Sequence, residues 1–171
     1  MHVAKVLAWM SGVAMISLGV TGALSEEALN SAALAKSLGG AKITLQQGMA
    51  ASEREGQTTS AKFEVEDGKL QLSVYAAKAG KYSEVVVDHV TGAITKVEPI
   101  TRGDDLKQAR AQSASLAGVK TSLRDAADKA EAQSPGFRAV SVTPSLKDKH
   151  AVATVELLKS SQMKAVIVPL S

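Results

Sequence analysis

The sequence predicts an α+β protein made of two tandem helix-plus-antiparallel-sheet units joined by a linking helix. Three observations carry that expectation. Helix-start signals stand at Thr44 and Ser122, each ahead of an apolar helical stretch. After the first of them the apolar spacing changes from helical to alternating, punctuated by tight-turn signals. A shift of 78 residues then superposes the second start on the first, Lys42 on Lys120 and Leu45 on Leu123.

The length of 171 residues suits one domain or two small ones, and the 45% apolar content is that of a globular chain. With 0 cysteines, disulfides, iron–sulfur clusters, Cys-containing zinc sites and a thiol nucleophile are excluded.

Residues 1–23 read as a signal peptide. A short start with Lys5 precedes the uncharged stretch Val6 to Ala23, which ends in the small residues of Val20-Thr21-Gly22-Ala23. If retained, it would be a membrane anchor, although it sits at the lower length limit for a span and is diluted by Gly and Ser. Cleavage after Ala23 predicts a periplasmic or secreted protein with no integral membrane body. It removes the only tryptophan and leaves Phe63, Tyr75, Tyr82 and Phe137 as the aromatics. Lysines are scattered among carboxylates, so neither a basic cluster nor a stacking platform for nucleic acid is present.

A leader helix is expected within 24–40, with Ser25 as N-cap, Glu26 and Glu27 toward the dipole, and Gly39-Gly40 as the stop. Its apolar face, Leu24, Ala28, Ala35 and Leu38, is mostly methyl groups and must rest on something larger. The first unit, 41–100, opens with a capping box at Thr44 and Gln47, and its helix is expected to run to about Glu55. Ala61, Phe63 and Val65 then alternate with Lys62, Glu64 and Glu66, whose shared face reads as solvated exterior. Asp67-Gly68 predicts a two-residue hairpin turn, Leu70, Leu72 and Val74 the return strand, and Tyr82 to Val87 a third strand. A short fourth strand, Ala93 to Val97, is expected before Pro99 closes the unit.

The linking helix lies in 101–118, from Asp104 to about Ala117. The second unit, 119–171, has a helix with Leu123, Ala126, Ala127 and Ala130 on one stripe. By the third strand the shift between copies is 81, pairing Val85 with Val166 and Val87 with Val168. Three inserted residues are assigned to a loop at Pro144 to Lys149. The second copy runs to Val168-Pro169-Leu170-Ser171, where the first continues through Asp-x-x-Thr-Gly.

On these residues the stretch Ile43 to Val97 resembles a PepSY domain. The matches are Thr44-Leu45, Phe63-Glu64-Val65, Asp67-Gly68 and the ending Val85-Val86-Val87-Asp88-His89-Val90-Thr91-Gly92-Ala93-Ile94; the family's usual Ala after the capping turn is Gly48 here. The second unit is a degenerate likeness of the first. The resemblance implies a helix packed on an antiparallel sheet, export from the cell, and a role in inhibiting or regulating peptidases. It implies no catalytic residues and no cofactor.

The residues searched independently give the same absence of an enzyme. No serine sits in G-x-S-x-G, no glycine loop ends in Gly-Lys-Ser/Thr, and the paired carboxylates Glu26/Glu27 and Asp104/Asp105 stand at helix starts. Asp88, Thr91 and Gly92 read as a structural turn, the Asp accepting backbone N–H bonds and the Gly supplying positive φ. A metal site at Asp88 and His89 with His150 would need ligands that the spacing does not bring near.

The expected function is therefore an exported, non-enzymatic binding or regulatory module that touches another exported or envelope protein, with a peptidase as candidate. Glu66, Asp67, Gly68 and Lys69 in the first hairpin form its expected contact surface. Two alternatives stand beside it: an assembly accessory of an envelope complex, or a small-ligand or metal sensor using the groove between units. An open strand edge favours the first, a broad apolar patch the second, a closed polar pocket the third.

Overall fold

The computed structural model describes residues 26–171, so the expected signal peptide at 1–23 lies outside the described residues. The elements are α1 (Glu26–Leu38), α2 (Leu45–Ala51), β1 (Gln57–Glu66), β2 (Lys69–Lys78), β3 (Lys81–Val87), β4 (Ile94–Ile100), α3 (Gly103–Ser115), α4 (Leu123–Ala132), β5 (Arg138–Lys147), β6 (His150–Lys159) and β7 (Gln162–Pro169). The seven strands among the described residues form one antiparallel sheet in the order β4-β3-β2-β1-β5-β6-β7, and the class is α+β.

Local chemistry accounts for most of the element boundaries. Thr44 Oγ1 accepts the Gln47 N–H at 3.1 Å while Gln47 Oε1 accepts the Thr44 N–H at 2.8 Å, closing the expected capping box. Ser122 and Asp125 build the same device at the start of α4, with bonds of 3.1 and 3.3 Å. The helix expected to reach Glu55 instead ends at Ala51, and the last turn, Glu53–Glu55, tightens into 3-10 geometry. Gly56 then turns the chain at φ 144°; a Cβ there would lie 2.5 Å from the Ala77 carbonyl oxygen, so the close approach itself requires glycine.

Asp67 (φ 47°) and Gly68 (φ 76°) form the expected tight turn, with Glu66 paired to Lys69. Two further expectations need correction. Pro99 does not close the first unit but lies inside β4, an outer strand, where a missing N–H facing solvent costs no ladder bond. Pro144 to Lys147 are not a loop but part of β5; only Asp148 and Lys149 turn the chain, both at positive φ. The spacing between halves is already 81 at the start of β5, since the bulge at Thr58/Ser60 recurs at Ala139/Ser141. The three extra residues therefore precede β5, between α4 and Arg138. Pro144 lies past the two residues that pair with β1, so its absent donor is not missed.

Further contacts recur at the same spacings. The N–H groups of Lys42 and Ile43 donate to the His89 carbonyl at 2.8 and 3.2 Å; those of Lys120 and Thr121 donate to the Leu170 carbonyl, both at 3.1 Å. Gln46 reaches Glu131 at 3.1 Å, and Arg124 reaches Glu53 at 2.7 Å, contacts that exchange when each residue is replaced by its counterpart 78 positions away. At the sheet centre Ala61 pairs with Val142, which stands 81 positions on.

One face of the sheet carries the core. Leu72, Val74, Val85 and Val87 from the first half and Val142, Val155 and Leu157 from the second are buried beneath Leu45, Met49, Ala126 and Ala127 of α2 and α4. Leu38 brings α1 into the same cluster. The linking helix α3 takes the opposite face, where Ser60 Oγ donates to Gln112 Oε1 at 3.1 Å and both residues are buried.

Candidate functional site

The Asp88 turn is held by its own backbone. Asp88 Oδ1 accepts from Val90 N at 2.9 Å and Thr91 N at 2.7 Å, and Gly92 (φ 77°) donates back to the Asp88 carbonyl at 2.8 Å. The Thr91 and Val90 N–H bonds hold the Asp88 carboxyl below its ordinary range. This turn also presents the His89 carbonyl to the start of α2, so its geometry sets where that helix begins.

His89 and His150 do not meet. Val87, two residues before His89, pairs with Leu72 near the β1–β2 hairpin, whereas His150 opens β6 at the hairpin on the opposite end of the antiparallel β1–β5 pair. Among the described residues no group of three or more His, Asp or Glu side chains is placed to share a metal ion. Glu66, Asp67, Gly68 and Lys69 are all exposed at the hairpin tip.

The reading of Lys62 and Glu64 as solvated exterior is overturned. Their side chains are only 12% and 14% exposed and are paired to each other at 2.6 Å. They belong to a polar cluster on the α3 face. The Ser73 hydroxyl lies 2.7 Å from Glu84 Oε1 and 3.2 Å from Glu64 Oε1, and Gln71 Nε2 donates to Ser73 Oγ at 2.9 Å. The Lys62 ammonium stands 6.0 Å from the centre of the Tyr75 ring. One hydroxyl proton cannot serve two carboxylates, so Glu64 and Glu84 compete for it. Burial, with the neighbouring Glu64 carboxylate, pushes the Glu84 carboxyl up, although its bond from Ser73 opposes the shift. Burial first, and then Glu84, push the Tyr75 phenol well above its ordinary value.

A sequence signal for this cluster existed. Once Asp67-Gly68 sets Glu66 opposite Lys69, Glu64 must oppose Gln71 and Lys62 must oppose Ser73, all on one face. The missing information was that Glu84 of β3 would close on the same side chains.

Between the halves a groove of about 350 Å³ opens beside Met49, Gly56, Leu116 and Leu123. Glu53 and Arg124 pair across its rim at 2.7 Å, and Ser122 is engaged in its capping box. Its lining is largely apolar, and these polar groups already serve one another.

No family model matches the chain. No curated protein matches it either. Among solved structures, the chain is similar to a protein described as a "putative lipoprotein" from Clostridium difficile 630, at 12% identity and a TM-score of 0.41, over 69% of this chain and 78% of that one. That relation is one of fold and is weak. Among the described residues no helix is long and apolar enough to cross a membrane.

Proposed function

We propose that this chain is an exported, non-enzymatic binding protein of PepSY-like build, two copies of one helix-and-meander unit, which acts by contact with another exported or envelope protein. A peptidase is the first candidate partner. The observation that carries this reading is the sheet: seven strands in open order leave the outer backbone of β4 and of β7 unpaired among the described residues. Unpaired strand edges are ready templates for a partner's backbone. The recurring bulges, capping boxes and helix–helix contacts support the two-copy reading.

The first hairpin is the proposed side-chain contact. Glu66 and Lys69 are cross-strand neighbours at an exposed tip, so reversing both charges leaves their mutual attraction intact while inverting what a partner meets. The experiment is affinity capture by residues 24–171 from an envelope extract, with the E66K/K69E variant run in parallel. Reproducible capture of a peptidase that the variant loses supports the reading, and inhibition of that peptidase is then assayed. Capture of a membrane complex moves the chain to an assembly role. Equal capture by the variant removes the hairpin from the contact, and capture of nothing above background overturns the protein-contact reading in favour of a small ligand.

A further inference from the structure

We propose that the outer edge of β7 is a strand-acceptor site, taking an extended, antiparallel segment of another protein with β-branched residues at the positions that β4 offers to β3. The proposal deepens the protein-contact reading and rests on it.

The two halves supply the template. At the spacing of 81, Val85 corresponds to Val166, Val86 to Ile167 and Val87 to Val168. β3 has a neighbour on each side, whereas among the described residues β7 pairs only with β6. The consequence is visible in burial. Val85, paired with Val97 of β4, is 0% exposed, while Val166 is only half-buried; Val86 is half-buried beside Lys96, while Ile167 is 53% exposed. A strand laid on β7 as β4 is laid on β3 would cover both.

The two free edges are not alike, which is a separate argument. β4 carries Lys96, Glu98 and Pro99, the residues by which natural sheets discourage edge pairing. β7 has one proline, Pro169, at its last position, and one charge, Lys164, whose ammonium is drawn across to Ser134 Oγ at 2.9 Å, so Gln162 to Val168 is free of proline. The apolar run Ala165 to Val168, with an unpaired outer backbone among the described residues, invites strand addition.

The occupant's chemistry follows from the β3–β4 register. A β-branched residue should stand opposite Val166, as Val97 stands opposite Val85, and another opposite Val168, as Ile94 stands opposite Val87. The chain's own segment, residues 93–100, is thus the natural probe. The experiment is titration of residues 24–171 with that synthetic peptide, following backbone amides by NMR. The expected result is saturable change confined to residues 162–168 and their β6 partners, at about 1 mM peptide or below, since a detached strand must reach the effective concentration a linker would supply. The same peptide N-methylated at alternate residues, with side chains intact, should lose binding at least tenfold.

Three results overturn the proposal: no change at β7, change at β4 instead, or equal binding by the N-methylated peptide. Concentration-dependent protection of β7 without peptide assigns the edge to a second copy of this chain and also overturns it. A null titration alongside successful protein capture leaves the contact reading standing without this edge. A positive titration with no captured protein keeps the acceptor edge and overturns the reading on which its biological use rests.

Discussion

Gly48 shows how one missing methyl is matched by its neighbour. A Cβ at Gly48 would lie 2.4 Å from Leu72 Cδ2, and Leu72 is fully buried. The counterparts in the second half are Ala126 and Ala153, so there the helix residue is larger and the strand residue smaller. The absence of a side chain at Gly48 therefore has a packing cause. Gly48→Ala gains about 1 kcal/mol of helix propensity against an overpacking cost of about 1–3 kcal/mol. It should lower stability by about 1 kcal/mol net in urea titration. Leu72→Ala alone should cost about 2–5 kcal/mol, and the double variant about 1 kcal/mol less than the sum of the singles. At Glu84 the test is pH. Its carboxyl is raised in the folded state from 4.5, so the fold binds that proton more tightly than the unfolded chain does. The stability it contributes is complete below about pH 4.5 and is lost as pH rises through the raised value. Asp88 and Asp125, both lowered, slope the other way and lose their contribution only as pH falls below about 4. Glu84→Gln, which can still accept from Ser73, should flatten the decline between about pH 4.5 and neutrality. An identical slope in the variant would discard this role for Glu84.

At the scale of elements, the contacts that α4 makes with α2 and with the 3-10 turn after it look equivalent but differ in environment. Gln46 is 9% exposed and donates to Asp128 at 3.0 Å and Glu131 at 3.1 Å, while Glu131 also accepts the Ala139 N–H at 2.6 Å. Arg124 and Glu53 pair with side chains 45% and 62% exposed. Gln46→Ala strands carboxylate acceptors at a part-buried contact and should cost about 1–3 kcal/mol. Arg124→Ala should cost less than about 1 kcal/mol. Chemical denaturation of both variants checks the ranking, and equal costs would refute it. The same contrast explains what could be read beforehand. The Thr44 box and the Asp67-Gly68 turn are complete within four residues, so sequence alone displays them. The cluster that encloses Lys62 and Glu64 takes in Ser73 of β2 and Glu84 of β3, and the site of the three-residue insertion depends on pairing between β1 and β5. Neither is local. The open edges of β4 and β7 follow from strand order, which alternation cannot supply.

For the whole molecule the central question is whether the halves fold together. β1 and β5 meet at the middle of the sheet, α2 and α4 meet above them, and one apolar cluster runs through residues of both halves. Ala61 and Val142, each 0% exposed, pair where the halves join. Without the second half, β1 would present an open edge and much of the shared core would face water, which small units tolerate poorly. Unfolding of residues 24–171 should therefore be one transition, coincident by circular dichroism and by tyrosine fluorescence from Tyr75 and Tyr82, which report on the first half alone. Val142→Ala should lower the midpoint for both probes together, by about 2 kcal/mol of lost packing, although the substitution lies in the second half. Hydrogen exchange of β2 and of β6 should accelerate by the same factor. If β6 alone loosened while β2 and the tyrosine signal kept their stability, the halves would be independent domains that merely touch.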